Sequence, residues 1–334
     1  MKLLITGSTG FLGSNLLTEL ENPEYKKKLG IESIKLLVRS KEKAKDIKSE
    51  LYTLEIIEGD LSNIPALKKA TENVDAVIHI ASKYGIKGRY REYYTANVEG
   101  TKNLIDQLQP GTKFVLTSSV AVYGYNANKG KLFTEDYEPK KPFGPYQKTK
   151  KLQEDLAREM CKEKGLPFVA LRPPMISGRG DLPTKILVDN IKKRMIMFGR
   201  GGKGLVPILH PRDAAKLHLL ALEKINEVDG EAFHAASFHV PFKEYVNTLA
   251  REVGLKDIKL HVPYFMIYSL GAFMEFISFN TADINRFSVK ILGASDHLDV
   301  TKVTEKLGFK PTYTLEDVIK ECGAGCKELE KNNK

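Results

Sequence analysis

Cysteine is scarce in this chain, with three (Cys161, Cys322 and Cys326) in 334 residues. An odd count without a paired spacing excludes a disulfide framework and points to a reducing compartment, with a cytoplasmic location expected. Cys322 and Cys326 stand four apart with no second pair and no nearby histidine, so no zinc or other metal site is expected. Internal repeats and low-complexity stretches are absent, which excludes solenoid and disordered classes. Long apolar runs are also missing. The best candidate, Val262–Phe279, is interrupted by Pro263, Ser269, Gly271, Glu275 and Ser278, and at 18 residues only just reaches spanning length. It reads as a buried helix, with an apolar substrate wall or an interfacial membrane contact as its functional alternatives. A strand and a glycine loop follow Met1-Lys2 at once, so no signal peptide is expected.

What is present is ordinary for a soluble globular protein: 42% hydrophobic and 28% charged residues. The length suits one large α/β domain or two closely joined ones. The net charge of +10 is spread along the chain, with small clusters at Lys26-Lys27-Lys28, Lys140-Lys141 and Lys192-Lys193-Arg194. A solvated basic surface accounts for it. No nucleic-acid motif accompanies the charge, so no nucleic-acid partner is expected.

The first half alternates short β-branched or apolar runs with helical segments. Strands are expected at Leu3–Thr6, Ile34–Val38, Thr53–Ile57, Ala76–Ile80, Lys113–Thr117 and Pro167–Leu171. Helices are expected at Phe11–Leu20, Glu92–Gln107 and Tyr146–Lys164. This is the pattern of a Rossmann-type, doubly wound parallel sheet, an α/β fold. After Arg172 the alternation weakens, with helices at Thr184–Arg194, Arg212–Glu223 and Phe242–Val253 and a flexible glycine stretch over 199–204. Residues 1–172 therefore read as the dinucleotide-binding domain, with part of 205–236 returning to it. Residues 173–204 and 237–334 read as a smaller, interleaved substrate-binding portion.

Gly7-Ser8-Thr9-Gly10-Phe11-Leu12-Gly13 follows the first strand and opens the first helix. Glycines at this spacing permit a tight turn, close backbone approach to a pyrophosphate, and close packing of helix on strand. The free N–H groups of the helix then face the phosphates. At the end of strand two, where an NAD site carries an acid, this chain has Arg39, with Ser40 and Lys43 close by. Guanidinium and hydroxyl groups suit a 2′-phosphate, so NADP is the expected cofactor and NAD the alternative. Asp60 follows strand three and either accepts from the adenine amino group, with Leu61 packed on the ring, or caps the next helix. Ala81 and Ser82 follow strand four and fall beside the cofactor ribose.

Tyr146 and Lys150, four apart on a helix, share one face. A free phenol has a pKa of about 10, and a neighbouring ammonium lowers it. Ser119, just after Thr117 at the end of strand five, is placed to hold a carbonyl or hydroxyl oxygen. With these residues in view, the chain resembles the extended short-chain dehydrogenases/reductases, the group of nucleotide-sugar epimerases and dehydratases. Matching segments are Thr6–Gly13, Asp60-Leu61, Asn97-Val98-Glu99-Gly100-Thr101, Thr117–Gly124, Tyr146–Lys150, Leu171–Pro174 and His210–Ala215.

The resemblance implies a catalytic triad of Ser119, Tyr146 and Lys150. It places Pro173 and Pro174 near the nicotinamide, with Thr117 and Asn97 also at the cofactor, Asn97 in a structural role if not in contact. It implies a homodimer through the helices at Glu92–Gln107 and Tyr146–Lys164. Asp213 would anchor a helix. Val120-Ala121 stand where the dehydratases have an Asp-Glu pair, which argues against elimination chemistry. Arg39, Pro173-Pro174 and the apolar Val262–Phe279 look like the branch of dihydroflavonol reductases, 3β-hydroxysteroid dehydrogenases and β-keto reductases.

The expected activity is hydride transfer between nicotinamide and the carbonyl or secondary alcohol carbon of a small hydrophobic molecule. A nucleotide-sugar epimerase is the alternative, and a non-catalytic NADP-binding redox sensor the alternative of another class. Tyr84, Tyr123, Arg179 and His210 are candidate substrate contacts, with Asp181 in the same loops. His79 is expected to be a packed core residue, and Glu135 and Asp136 to lie in a surface loop.

Overall fold

The computed structural model describes residues 1–85, 88–124, 130–138, 144–194, 196, 198–260, 262–277, 289 and 295–331. Of the segments named above, Lys140-Lys141 and the last two residues of 262–279 lie outside them. The strands are β1 (Lys2–Thr6), β2 (Ser33–Val38), β3 (Thr53–Glu58), β4 (Ala76–His79), β5 (Lys113–Thr117), β6 (Leu132–Phe133), β7 (Phe168–Arg172), β8 (Met175–Ile176), β9 (Leu205–Leu209), β10 (Ala232–His234), β11 (Phe238–Pro241) and β12 (His297–Leu298). Seven of them form one sheet in the order β3-β2-β1-β4-β5-β7-β10. Every pairing in it is parallel. The strand order reverses beside β1, which opens a crevice at the carboxyl ends of β1 and β4.

A parallel sheet covered on both faces needs unbroken apolar strands, because alternate side chains enter different cores. In β1, Leu3 and Ile5 join one core with α1 (Phe11–Leu20) and α8 (Pro211–Glu223). Leu4 joins the other, with α3 (Ile64–Thr71), α5 (Gly100–Asp106) and α6 (Pro145–Lys164). The chain thus returns to the main sheet through α8 and β10. A further return, unforeseen, brings Val303, Leu307 and Phe309 into the core beneath α1 and α8, so 301–309 packs with the sheet rather than with the smaller portion.

Helix limits follow local chemistry. Helix α6 begins at Pro145 and ends at Gly165, whose left-handed φ of 66° lets its N–H reach the Cys161 carbonyl. The expected helix over Glu92–Gln107 is interrupted. Helix α4 (Tyr90–Tyr93) passes into a π-helical turn, Tyr94–Glu99, before α5. That wider turn carries Asn97, whose amide accepts from Lys83 N–H at 2.6 Å and donates to the Lys83 carbonyl and to Thr149 Oγ1. The short helix α2 (Pro23–Leu29), capped by Asn22, was not expected.

Three short strands, β8, β9 and β11, make a second sheet. Beside it, α7 (Leu182–Lys192), α9 (Phe242–Glu252) and the C-terminal helix Leu315–Lys331 bury Val188, Ile191, Tyr245, Leu249, Val318 and Cys322 in a core of their own. The glycine stretch forms a 3-10 turn, Gly199–Gly202. Helix α10 spans Tyr264–Ile277.

One buried ion pair ties β5, α6 and β7 together. Arg172 at the end of β7 donates to both oxygens of Glu154 on α6, at 3.0 and 2.6 Å, and Ser118 donates to the same carboxylate at 2.6 Å. Burial would raise the Glu154 carboxyl, but Arg172, with Ser118 and Arg158, holds it down to about 2. Its contribution is therefore present above the ordinary carboxyl pKa of about 4.5 and is lost as the pH falls from there through about 2. Glu154→Gln should cost about 3–5 kcal/mol at neutral pH by leaving Arg172 uncompensated. Urea titrations at pH 7 and pH 3 check this: the gap between wild type and variant should narrow at the lower pH.

Candidate active site

The glycine loop sits where the crevice opens. Gly7 has a φ of 79°, and a Cβ there would lie 2.8 Å from Ala81 N. A Cβ at Gly13 would lie 2.1 Å from the Gly7 carbonyl, so the third glycine lets α1 settle on β1. A Cβ at Gly10 would lie 3.2 Å from the Gly7 carbonyl, tighter than an ordinary contact. It is the N-cap of α1 without a side-chain cap, and no acid stands in the first turn. Thr9 and Gly10 are exposed, Phe11 is half-buried and Leu12 is buried. Ser8 Oγ is buried with no partner among the described residues. Unsatisfied helix N–H groups, an exposed glycine without a side chain and an orphan hydroxyl together fit an anionic diphosphate.

Arg39 and Lys43 are exposed, and Ser40 half-exposed, just past β2. Asp60 accepts from Ser62 N–H at 2.8 Å and Ser62 Oγ at 2.6 Å. Those bonds, with a smaller contribution from the Arg39 charge, hold its carboxyl below its usual range. Asp60 is not the helix cap. That part falls to Asn63, which accepts from Ala66 N–H and opens α3. Leu61 lies against Gly100, where a Cβ would approach within 2.8 Å. Ala81 is half-buried and Ser82 exposed beyond β4.

At the end of β5, Ser119 caps the 3-10 turn Val120–Tyr123 by accepting from Ala121 N–H at 3.2 Å. Pro173 is buried, and its carbonyl accepts from Val120 N–H at 3.1 Å. Pro174 is buried next to it. The Tyr146 phenol is pushed well above its ordinary value by burial, an effect that hydrogen bonding to Ser119 opposes. Two further tyrosines close on it edge-to-face, Tyr84 at 5.3 Å and Tyr93 at 6.4 Å between ring centroids.

Lys150 is buried, and its ammonium donates to the Thr117 carbonyl at 2.7 Å and to Gln153 Oε1 at 2.6 Å. Burial lowers its pKa to about 7, against the Glu154 charge, which raises it. The ammonium is thus fixed on the β5 backbone, and the expected lowering of the phenol by Lys150 is absent from this arrangement.

Gln153 begins a chain of buried hydrogen bonds back to the glycine loop. Its amide donates to Thr101 Oγ1 at 2.7 Å, while Thr101 donates to the Asn97 carbonyl. Having spent its proton, Thr101 must accept from His79 Nε2 at 2.9 Å, so His79 Nδ1 accepts from Thr6 Oγ1 at 2.7 Å. Thr6 in turn accepts from Ala81 N–H at 3.2 Å. Burial, then the Lys150 charge, lowers His79 to about 3, consistent with this neutral tautomer. His79 is packed in the core, as expected, and also links both halves of the crevice. On the far side of β5, Thr117 Oγ1 bonds His218, whose other ring nitrogen bonds the Ala214 carbonyl.

Several expected contacts lie elsewhere. Tyr123 is buried, its hydroxyl held by Arg172 at 2.7 Å and His234 at 3.2 Å, so it supports the turn instead of facing a substrate. His210 is buried as the cap of α8, accepting from Arg212 N–H, bonded to Glu321 and stacked on Tyr313. Arg179 is exposed and paired with Glu328 of the C-terminal helix. Asp181 caps α7 by accepting from Thr184 N–H at 2.6 Å. Asp213 anchors Thr312 and Ser237. Glu135 is buried and accepts from His234 N–H, so it is not a surface residue. Among the four candidate substrate residues only Tyr84 adjoins Tyr146. A cavity of about 380 Å³ between β11 and 311–315 contains none of the triad.

Tyr93 and Gln153 were missed. Gln153 stands three after Lys150, on the same helical face, and that spacing was the available signal. Tyr93 precedes a π-helical turn that no periodicity announces.

Comparison with known proteins bears on these features. The family model for the NAD dependent epimerase/dehydratase family matches residues 3–236. Sterol-4-alpha-carboxylate 3-dehydrogenase, decarboxylating, of Mus musculus is 26% identical over 82% of this chain and 80% of its own length. The 2-alkyl-3-oxoalkanoate reductase of Shewanella oneidensis is 24% identical over 96% of this chain and 85% of its own. In fold, DesIV, a dTDP-glucose 4,6-dehydratase from Streptomyces venezuelae solved with NAD and TYD bound, superposes with a TM-score of 0.78 over 99% of this chain and 98% of its own at 20% identity. With the glycine loop, the sheet order and the Ser119, Tyr146 and Lys150 cluster, these matches lead to one conclusion: the chain belongs to the NAD dependent epimerase/dehydratase family, as an oxidoreductase of the extended short-chain dehydrogenase/reductase type.

Proposed function

We propose that this protein reduces the β-carbonyl of an apolar 3-oxo acid, or oxidises the matching alcohol, with Ser119, Tyr146 and Lys150 at the reacting centre. The observation that carries the reading is the convergence on Tyr146 of the Ser119 hydroxyl and two aromatic rings, with a buried ammonium held on Thr117 and Gln153 one helical turn on. The substrate class comes from the two relatives, whose names share an oxygenated carbon two bonds from a carboxylate carbon on an apolar skeleton.

A nicotinamide dinucleotide, when bound, supplies or accepts the hydride. Gly7, Thr9, Gly10, Phe11, Leu12 and Gly13 would hold its diphosphate, with Asp60 and Leu61 at the adenine and Ala81, Ser82, Thr117, Lys150 and Pro173 along its ribose and ring. Asn97 acts on this site indirectly, by fixing Lys83 to α6. Ser119 holds the substrate oxygen. Tyr146 gives that oxygen its proton as the carbon becomes tetrahedral, and takes the proton back in the reverse direction. Lys150 keeps the centre positive, which favours the developing oxyanion. Residues 173–204 and 237–334, apart from the 301–309 segment packed on the main sheet, supply the substrate-binding portion, and the protein works as a homodimer in the cytoplasm.

Tyr146→Phe should lower kcat by about 10²–10⁴-fold and leave cofactor affinity within roughly twofold. Stopped assays on paired substrates, a 3-oxo acid and the same ketone without its carboxylate, test both parts. Equal turnover of the pair would remove the acid from the substrate class, and undiminished turnover by the variant would remove Tyr146 from the mechanism.

Burial holds the phenol protonated at neutral pH, which suits proton donation. The phenol therefore imposes no fall on ketone reduction from pH 7 to 9, and a fall over that range follows the loss of charge from Lys150, which burial lowers to about 7. Alcohol oxidation, which needs the phenolate, should climb throughout that range. An oxidation rate already level at pH 7 would show that the phenol is lowered in the working complex.

Arg39, Ser40 and Lys43 favour NADP over NAD. Arg39→Ala should weaken NADP by roughly tenfold to a hundredfold, the loss of about 1.5–3 kcal/mol from a charge-assisted bond, and leave NAD unchanged. Parallel calorimetric titrations with the two dinucleotides decide it. Tighter NAD binding by the wild type would overturn the assignment.

A further inference from the structure

Helix α10, Tyr264–Ile277, inverts the usual amphipathic rule. Its buried positions include Ile267 and Gly271, while Phe265, Met266, Leu270 and Phe273 are 70%, 52%, 41% and 60% exposed. With Ser269 these recur at the one- and four-residue steps of a single helical stripe, and Leu260, 53% exposed, precedes it. Single exposed apolar residues are unremarkable, but four large side chains on one face of one helix form a patch.

The chain beside the start of this helix is basic. Leu260 and Val262 bond the backbone of Phe198 at 3.1 and 3.2 Å, which brings the segment after α7 alongside the segment before α10. Lys256 and Lys259 are exposed on one of these segments and Lys193 and Arg194 on the other. Arg194 is four residues from Phe198, so their Cα atoms are within about 14 Å. None of these four side chains is paired with a carboxylate among the described residues. The one acid in this stretch, Asp257, is taken by Arg251 at 3.0 Å. The 14 described residues of the helix reach about 21 Å, less than a hydrocarbon core of about 30 Å. No helix among the described residues is long and apolar enough to cross a membrane.

An exposed aromatic stripe with unpaired cations at one end has the composition of an interfacial element: rings enter the acyl boundary while ammonium and guanidinium groups meet lipid phosphates. We propose that the α10 face, with Lys193, Arg194, Lys256 and Lys259 at its base, seats the protein on the surface of an anionic phospholipid bilayer. The proposal is independent of the reaction assigned above.

Flotation of the full chain with vesicles tests it, using phosphatidylcholine alone and phosphatidylcholine with about 30% phosphatidylglycerol, which gives the second set a negative surface potential. The wild type should float with the anionic vesicles at least tenfold more than with the neutral ones, and should be released by 0.5 M salt, about a 4 Å screening length. Phe265→Ser with Phe273→Ser, and separately Lys256→Glu with Lys259→Glu, should each lose at least tenfold of this partitioning. Both variants should retain the wild-type urea midpoint and the wild-type affinity for the dinucleotide, whose proposed site lies in residues 1–173, which separates failure of the surface from failure to fold. Equal flotation of wild type and both variants would overturn the proposal. So would a shift from dimer to monomer in sedimentation velocity on Phe265→Ser with Phe273→Ser, which would assign the face to a second copy of the chain.

Discussion

Lys150 brings an ammonium to a place from which water is excluded, and much of the reacting end of the sheet is arranged around that charge. Without partners it would deprotonate or the helix would shift. Two acceptors hold it: the Thr117 carbonyl, on the last residue of β5, and Gln153, one turn further along the same helix. Because Thr117 is also fixed by His218, and Gln153 by Thr101, the cation is fastened to four elements at once. Glu154, one residue beyond Gln153, supplies a counter-charge that is itself committed to Arg172 and Ser118. The field at Lys150 is thus positive but compensated. A burial shift that stops at about 7 leaves the group divided between its two forms near neutrality.

The same wiring explains why the two ends of the crevice cannot move independently. Each donor from Ala81 N–H to Gln153 has one acceptor available, so protonating His79 or rotating Thr101 would leave a buried group unsatisfied. The glycine turn of β1 and the ammonium beside β5 lie on opposite sides of β4, yet both are pinned through it. A site that must bring a dinucleotide and a second molecule into register benefits from such rigidity, since misplacement by an ångström is costly to rate.

The strands were legible because a doubly covered parallel sheet needs runs that are apolar on both faces, as Leu3–Ile5, Ala76–Ile78 and Phe114–Leu116 are, and the limits of β1, β4 and β5 fell within two residues of expectation. Helix α1 was legible for the same reason, its apolar spacing following a glycine turn. The role of Asp60 was not, because Asp60 and Asn63 are equivalent as capping residues in sequence and only the chain path decides between them. Tyr123, His210 and Glu135 show the complementary limit. Each is a chemistry-bearing residue in a loop-like stretch, and each is consumed by a partner more than twenty-five residues away: Arg172, Glu321 and His234. A pattern of residue types along the chain carries no information on contacts of that range.

The elevated phenol of Tyr146 has a further consequence for reading such sites. A tyrosine and a lysine at i and i+4 are usually taken as a lowered phenol, yet here Lys150 faces the sheet and Tyr146 faces two other tyrosines. Sharing a helical face is necessary for the pair to couple but does not fix where the longer side chain ends. Its direction is set by the acceptors that compete for it, and a backbone carbonyl at the end of a buried strand outcompetes a neutral phenol for an ammonium. In the reaction proposed above, coupling between the two would arise as charge develops on the phenol oxygen or on the substrate oxygen, when the ammonium's attraction first exceeds its hold on Thr117. Lys150 would then act on the transition state more than on the resting tyrosine, which is where a fixed charge contributes most to rate.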